Sequence, residues 1–172
     1  EDGKWPGKHG TLLRLDTNYW NIVCLDLSQP SLLRGAVTDI AGHVLIHAER
    51  SIASAGDITV SMIEDECKKL MTDAPGHVLG IGVATPGIID SEGTILDSSH
   101  LELSHVRLGE ELHQRFSCPC FVDNDTNSAL LAVRLFDDSA PNMIYVQITR
   151  GVGAAVLIND SVVIGADHAA GE

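Results

Sequence analysis

The sequence predicts an α/β protein, organised as one lobe followed by the start of a second, similar lobe, and three observations carry that prediction. Short β-rich runs come first, helices and strands then alternate, and a second set of short strands closes the chain. Of the 172 residues, 44% are hydrophobic, 20% charged and 4% aromatic, an ordinary globular composition with room for one sizeable core. Lys and Arg number 11 against 24 Asp and Glu, a formal net charge of -13. A surface of that sign repels phosphate backbones, so this stretch does not hold DNA by itself. Collagen, disordered tails and membrane spans are excluded by composition.

The elements follow in order. Residues 1–10 are rich in Gly, Lys and His without apolar period and read as a linker. Residues 12–15, 22–27, 33–38 and 44–48 are β-rich and separated by turn residues such as Gly42, which predicts an antiparallel meander of three or four strands. Ile58, Met62, Ile63, Cys67, Leu70 and Met71 then recur at helical spacing, with Glu64, Asp65, Lys68 and Lys69 on the other side. That is an amphipathic helix of about four turns. The apolar run 78–84 suits a strand buried on both faces, stopped by Thr85-Pro86-Gly87. A polar loop through residues 91–93 and 97–100 leads to a short helix near 108–116 and a strand at 120–122. Residues 128–135 are helical, with Asp125 where an N-cap belongs. Asp137, Asp138 and Pro141 punctuate, and strands follow at 143–148, 154–158 and 162–164. The first lobe is thus expected over 11–140 and the second from 141 to 172.

Chemistry concentrates at strand ends. Asn124-Asp125-Thr126-Asn127 lies where open α/β sheets bind ligands, and a carboxylate there accepts from a hydroxyl. Asp125 reads equally as a helix cap, and both roles compete for the same oxygens. Thr85-Pro86-Gly87 reads as a chain reversal or a second strand-end contact, and Ser99 and His100 sit on a loop able to fold over the same edge. Gly151 and Gly153 fit a hairpin turn or the close approach of a phosphate. Cys118-Pro119-Cys120 lacks zinc spacing, the eight His are scattered, and residues 64–66 form a solvated acidic face, so no metal site is expected. The four cysteines do not form a secreted disulfide pattern and no signal segment opens the chain, which makes the cytoplasm the default address. With no initiating Met, the chain reads as a piece of a longer protein.

In order, several pieces resemble one family, the ROK proteins (repressors, open reading frames and sugar kinases), from about residue 11 to 172. Residues 80–90, GIGVATPGIID, are similar to its strand and sugar loop; residues 122–129, VDNDTNSA, to its Asn-Asp-x-Asn box. Gly151-Val152-Gly153-Ala154 with Ile164-Gly165 resembles the start of its second lobe, and Ala170-Gly171-Glu172 the opening of its Glu-x-Gly-His motif. The resemblance implies the two-lobed actin/hexokinase-like (ribonuclease H-like) fold. It also implies that Gly87, Ser99, Asn124, Asp125 and Glu172 contact a sugar, with Asp125 as general base if the protein is a kinase.

Departures from the kinase pattern decide the functional expectation. Where kinases of the family carry Asp-x-Gly-Gly-Thr, Asp26 is followed by Leu27-Ser28-Gln29-Pro30-Ser31, and the second phosphate turn is Thr149-Arg150-Gly151 in place of Gly-Thr-Gly. Residues 7–16 resemble the segment joining a winged-helix DNA-binding domain to the sugar lobe in family repressors. The expectation is therefore a non-catalytic sugar-binding effector domain of a ROK transcriptional regulator, with an ATP-dependent sugar kinase as the alternative. No cofactor is expected in this fragment; ATP and Mg belong only to the kinase, and a structural zinc to the part beyond residue 172. The partners implied are a small sugar or sugar phosphate, DNA through the missing N-terminal domain, and a second copy in a homodimer, with no membrane.

Overall fold

The computed structural model describes residues 13–17, 19–136, 140–149 and 151–171. The linker at 1–10, Asp137, Asp138, Arg150 and Glu172 lie outside the described residues.

Strands β1 (Trp20–Asp26), β2 (Leu32–Asp39) and β3 (Val44–Ser51) form the expected antiparallel meander. Residues alternate along β1 and β2, burying Val23, Leu25, Leu33 and Val37 on one face. The described part of 12–15 is not a strand: Leu13 and Leu15 stay 94% and 69% exposed, because alternation alone makes no strand without a partner ladder. Asp39 organises the β2–β3 turn, accepting from the N–H groups of Ala41 and His43 and from His43 Nδ1, each at 2.9 Å.

Helix α1 (Val60–Asp73) begins at Thr59, whose Oγ1 accepts from Met62 N at 3.3 Å. Ile63, Cys67 and Leu70, at i, i+4 and i+7, are fully buried against β1 and β2. Gly35 on β2 makes room for this contact, since a Cβ there would stand 2.6 Å from Leu70 Cδ1. Ile63 and Leu70 each contribute about 1.5–3 kcal/mol by leaving water.

Strand β4 (His77–Thr85) pairs with β1 in parallel, with a register shift at Asn21. The buried Asn21 bridges that irregularity by accepting from Gly76 N at 2.6 Å. Burial on both faces holds only in part: Ile81 and Val83 are buried, Leu79 is 45% exposed, and Gly82 and Ala84 face a groove. Residues 88–106 contain three strands where a polar loop is expected, β5 (Ile88–Ile89), β6 (Ile95–Ser98) and β7 (Leu103–Val106), paired into a small antiparallel sheet. Helix α2 (Leu108–Phe116) follows as expected, burying Leu108 and Leu112. Strand β8 (Cys120–Asn124) then adds to β4 in parallel, completing a five-stranded sheet of order β3-β2-β1-β4-β8.

Helix α3 (Asp125–Phe136) leaves the end of β8 and packs on a second antiparallel sheet of β9 (Met143–Ile148), β10 (Val152–Ile158) and β11 (Ser161–Val162). Leu130, Ala155 and Leu157 form its small core with Met143 and Tyr145. The other face carries Ile144, Val146, Ile148 and Val152, 54–76% exposed. The molecule has an α/β fold, as the sequence predicts. No described helix is long and apolar enough to cross a membrane.

Candidate functional site

β1, β4 and β8 run parallel, so their carboxyl ends meet at one edge of the sheet, the place where α/β sheets bind ligands. There the loop after β1, the turn after β4, the β6–β7 connection, the start of α3 and the β9–β10 hairpin enclose a cleft of about 230 Å³.

Asn124 ends β8, still paired in register with Thr85. Its Oδ1 accepts from the N–H groups of Thr126 (2.8 Å) and Asn127 (3.1 Å), and its Nδ2 donates to the Gly87 carbonyl at 3.0 Å. Asn124, not Asp125, is therefore the side-chain cap of α3, which corrects the sequence expectation. One amide thus fixes both the helix start and the turn after β4. Gly87 is required in that turn: its φ is +111° and a Cβ would run into the Asp97 carbonyl oxygen.

With Asn124 as cap, the Asp125 carboxylate is turned into the cleft, where Oδ2 accepts from Gln147 Nε2 at 3.0 Å. Burial pushes the Asp125 carboxyl above the usual carboxylate range, opposed by the hydrogen bonds from Gln147 and the Thr126 backbone and reinforced by the nearby Asp26 charge. Gly153, opposite Gln147 in the ladder, serves close approach: a Cβ there would stand 2.8 Å from Thr126 Oγ1.

The first two amides after β1 are engaged within the protein. Leu27 N donates to the Ala84 carbonyl, Ser28 N to Asp26 Oδ1 at 2.8 Å, and Pro30 has no N–H. Thr149 N in the β9–β10 hairpin is bonded to the Gly151 carbonyl.

Gly87, Ser99, Asn124 and Asp125 all line this one cleft, with Ser99 and His100 exposed at its rim. Glu172 lies outside the described residues; Gly171 beside it accepts from Ala154 N at 2.9 Å. Sequence reasoning did not single out Gln147 or Asp97 as lining residues. The signal for Gln147 was present as the one polar side chain in the apolar run 143–148. Among the described residues no three His, Cys, Asp or Glu side chains gather as a metal site, and none of the described residues lining the cleft is Lys or Arg.

The family model described as the ROK family matches residues 30–172. The chain belongs to the ROK family. This ROK chain is 27% identical over 175 aligned residues to the xylose repressor of Caldicellulosiruptor bescii, an alignment covering 96% of the chain and 43% of that protein. Among solved structures it resembles a ROK family transcriptional regulator described as a homologue of the Escherichia coli MLC protein, with a TM-score of 0.81 and 24% identity over 91% of the chain and 41% of the other. It also resembles a ROK family glucokinase from Streptomyces griseus solved with glucose and AMPPNP, with a TM-score of 0.74 and 21% identity over 88% of the chain and 49% of the other. The ROK chain thus spans less than half the length of each of these proteins.

Proposed function

We propose that this chain is the sugar-binding part of a ROK transcriptional regulator, in which a neutral saccharide binds at the ends of β4 and β8 and is not phosphorylated. Gly87, Ser99, Asn124, Asp125 and Glu172 are its proposed contacts, with Asp125 accepting a hydroxyl proton in a hydrogen bond. The observation that supports the reading is the state of three positions after β1: a phosphate loop works by aiming free N–H groups at the anion, whereas the Leu27 and Ser28 amides are already bonded within the protein and Pro30 has none. Similarity to a xylose repressor along almost the whole chain supports the regulatory half. DNA contact is assigned to a winged-helix domain ahead of Glu1, residues 1–10 to the linker, 11–140 and 141–172 to the two lobes, and the working form to a homodimer.

The test is calorimetry on the full-length protein with D-xylose, D-glucose, N-acetyl-D-glucosamine and MgATP. Heat from one of the sugars and none from MgATP up to millimolar concentration is the expected result; micromolar nucleotide affinity would overturn it. The bound sugar should then change operator affinity at least about fivefold, the low end of ordinary allosteric coupling.

A kinase is the second reading, favoured by Asp125, a carboxylate with a raised pKa at the cleft and so suited to general-base work. ADP release that requires both sugar and ATP and disappears in Asp125→Asn would establish it.

A further inference from the structure

We propose that Gln147 is a positioning residue of the sugar site: from the second sheet it keeps the Asp125 carboxylate ionised and oriented as an acceptor for a ligand hydroxyl. The inference rests on the sugar-binding reading above and assigns a role to a side chain that reading does not use.

Asp125 stands in surroundings hostile to charge. It is partly withdrawn from water at the start of α3 and feels Asp26 at the end of β1. Asp97 and His100 line the same cleft from the β6–β7 side. Among the described residues the donors that the carboxylate meets are neutral. Gln147 Nε2 at 3.0 Å and the Thr126 N–H are those donors. An amide is suited to the task because it stabilises the ionised form without adding a charge or a titratable proton.

The placement of Gln147 is built into the fold. Met143, Tyr145 and Gln147 alternate toward the face of β9 that α3 covers; the first two pack on the small core and Gln147 meets the start of the helix, where Asp125 lies. Gly153, its partner across the ladder, lets β10 approach Thr126 and brings β9 within reach of Asp125. With one oxygen held from another element, the plane of the carboxylate is fixed before ligand arrives, which spares the ordering cost on binding.

The test uses the full-length protein and two variants of similar length, Gln147→Met, which removes the donor, and Gln147→Glu, which replaces it with a charge. Two readouts are needed: the carbon-13 NMR titration of the Asp125 carboxyl, and calorimetric affinity for D-xylose, D-glucose and N-acetyl-D-glucosamine at about pH 5.5 and about pH 7.5. The expected result is an Asp125 midpoint displaced upward in Gln147→Met and further in Gln147→Glu. Sugar affinity in Gln147→Met should fall about tenfold near pH 5.5 and less near pH 7.5, because a protonated carboxyl accepts more weakly. A purely structural side chain would weaken binding equally at both pH values. Sugar binding with an unmoved Asp125 midpoint, or with equal losses at both pH values, would overturn the role of Gln147 alone. Absence of any sugar binding by the unaltered protein would overturn the proposal through the reading beneath it.

Discussion

Asn124 and Asp125 divide two jobs that one side chain could not do together. The amide takes the helix cap and the Gly87 tether, which leaves the carboxylate in the cleft. Asn124→Ala should therefore cost about 1–2 kcal/mol, measured by chemical denaturation, and weaken sugar binding because the turn carrying Gly87 loses its anchor. Asp125→Asn should act on stability in the opposite direction. A carboxyl whose native pKa lies above its unfolded value is penalised when ionised, so the wild type loses stability as pH rises from the ordinary carboxylate value through the raised one. The gain in melting temperature of Asp125→Asn should thus be larger at neutral pH than below about pH 4, and a gain that does not depend on pH would contradict the environment described. Both residues were legible at the strand end, but the cap was expected at Asp125 and falls one residue earlier. The choice is set by where the ladder stops, and Asn124 is still paired with Thr85 when the helix begins.

Among the elements, the longer ones were legible and the shortest were not. Helices α1 and α2 announce themselves by apolar residues at helical spacing, and the β1–β3 meander by alternation between turns. Strands β5, β6 and β7 hold two to four residues each, too few for alternation to register, and exist because residues 88–106 fold back on themselves. Gly87→Ala tests the join between this small sheet and the cleft. The positive φ and the Asp97 carbonyl both oppose a Cβ, so the variant should be destabilised and lose sugar affinity at least about tenfold, read by calorimetry. The β2–β3 turn offers a pH test at a distance from the cleft. The hydrogen bond from His43 chiefly holds the Asp39 carboxyl below its usual range, so its contribution is present above the ordinary carboxylate value and fades as pH falls through the lower native one. The deficit in melting temperature of Asp39→Ala should shrink along that acid limb.

At the scale of the molecule, two sheets of unequal completeness share helix α3. The five-stranded sheet is covered on one face by α1 and α2, whereas the outer face of β9 and β10 presents Ile144, Val146, Ile148 and Val152 to solvent. Strand β9 was legible in the sequence as an apolar run, but which of its faces is covered depends on where α3 lies, and no local pattern encodes that. A chain of these 172 residues should self-associate through the open apolar face, and Val146→Lys with Ile148→Lys should lower its sedimentation coefficient toward the monomer value. The order of pairing in the larger sheet bears on how the protein is made. β1 meets β2 within one turn of the chain, but its other edge waits for β4, where Ile22 pairs with Gly80 across the whole of β2, β3 and α1. As the chain leaves the ribosome, the meander and α1 emerge first and bury an apolar face while one side of β1 still lacks its ladder. A nascent chain from which α1 but not yet β4 has emerged therefore carries a bare strand edge beside a core still missing Ile81, Val83, Leu108 and Leu112, which makes it a species open to wrong pairing.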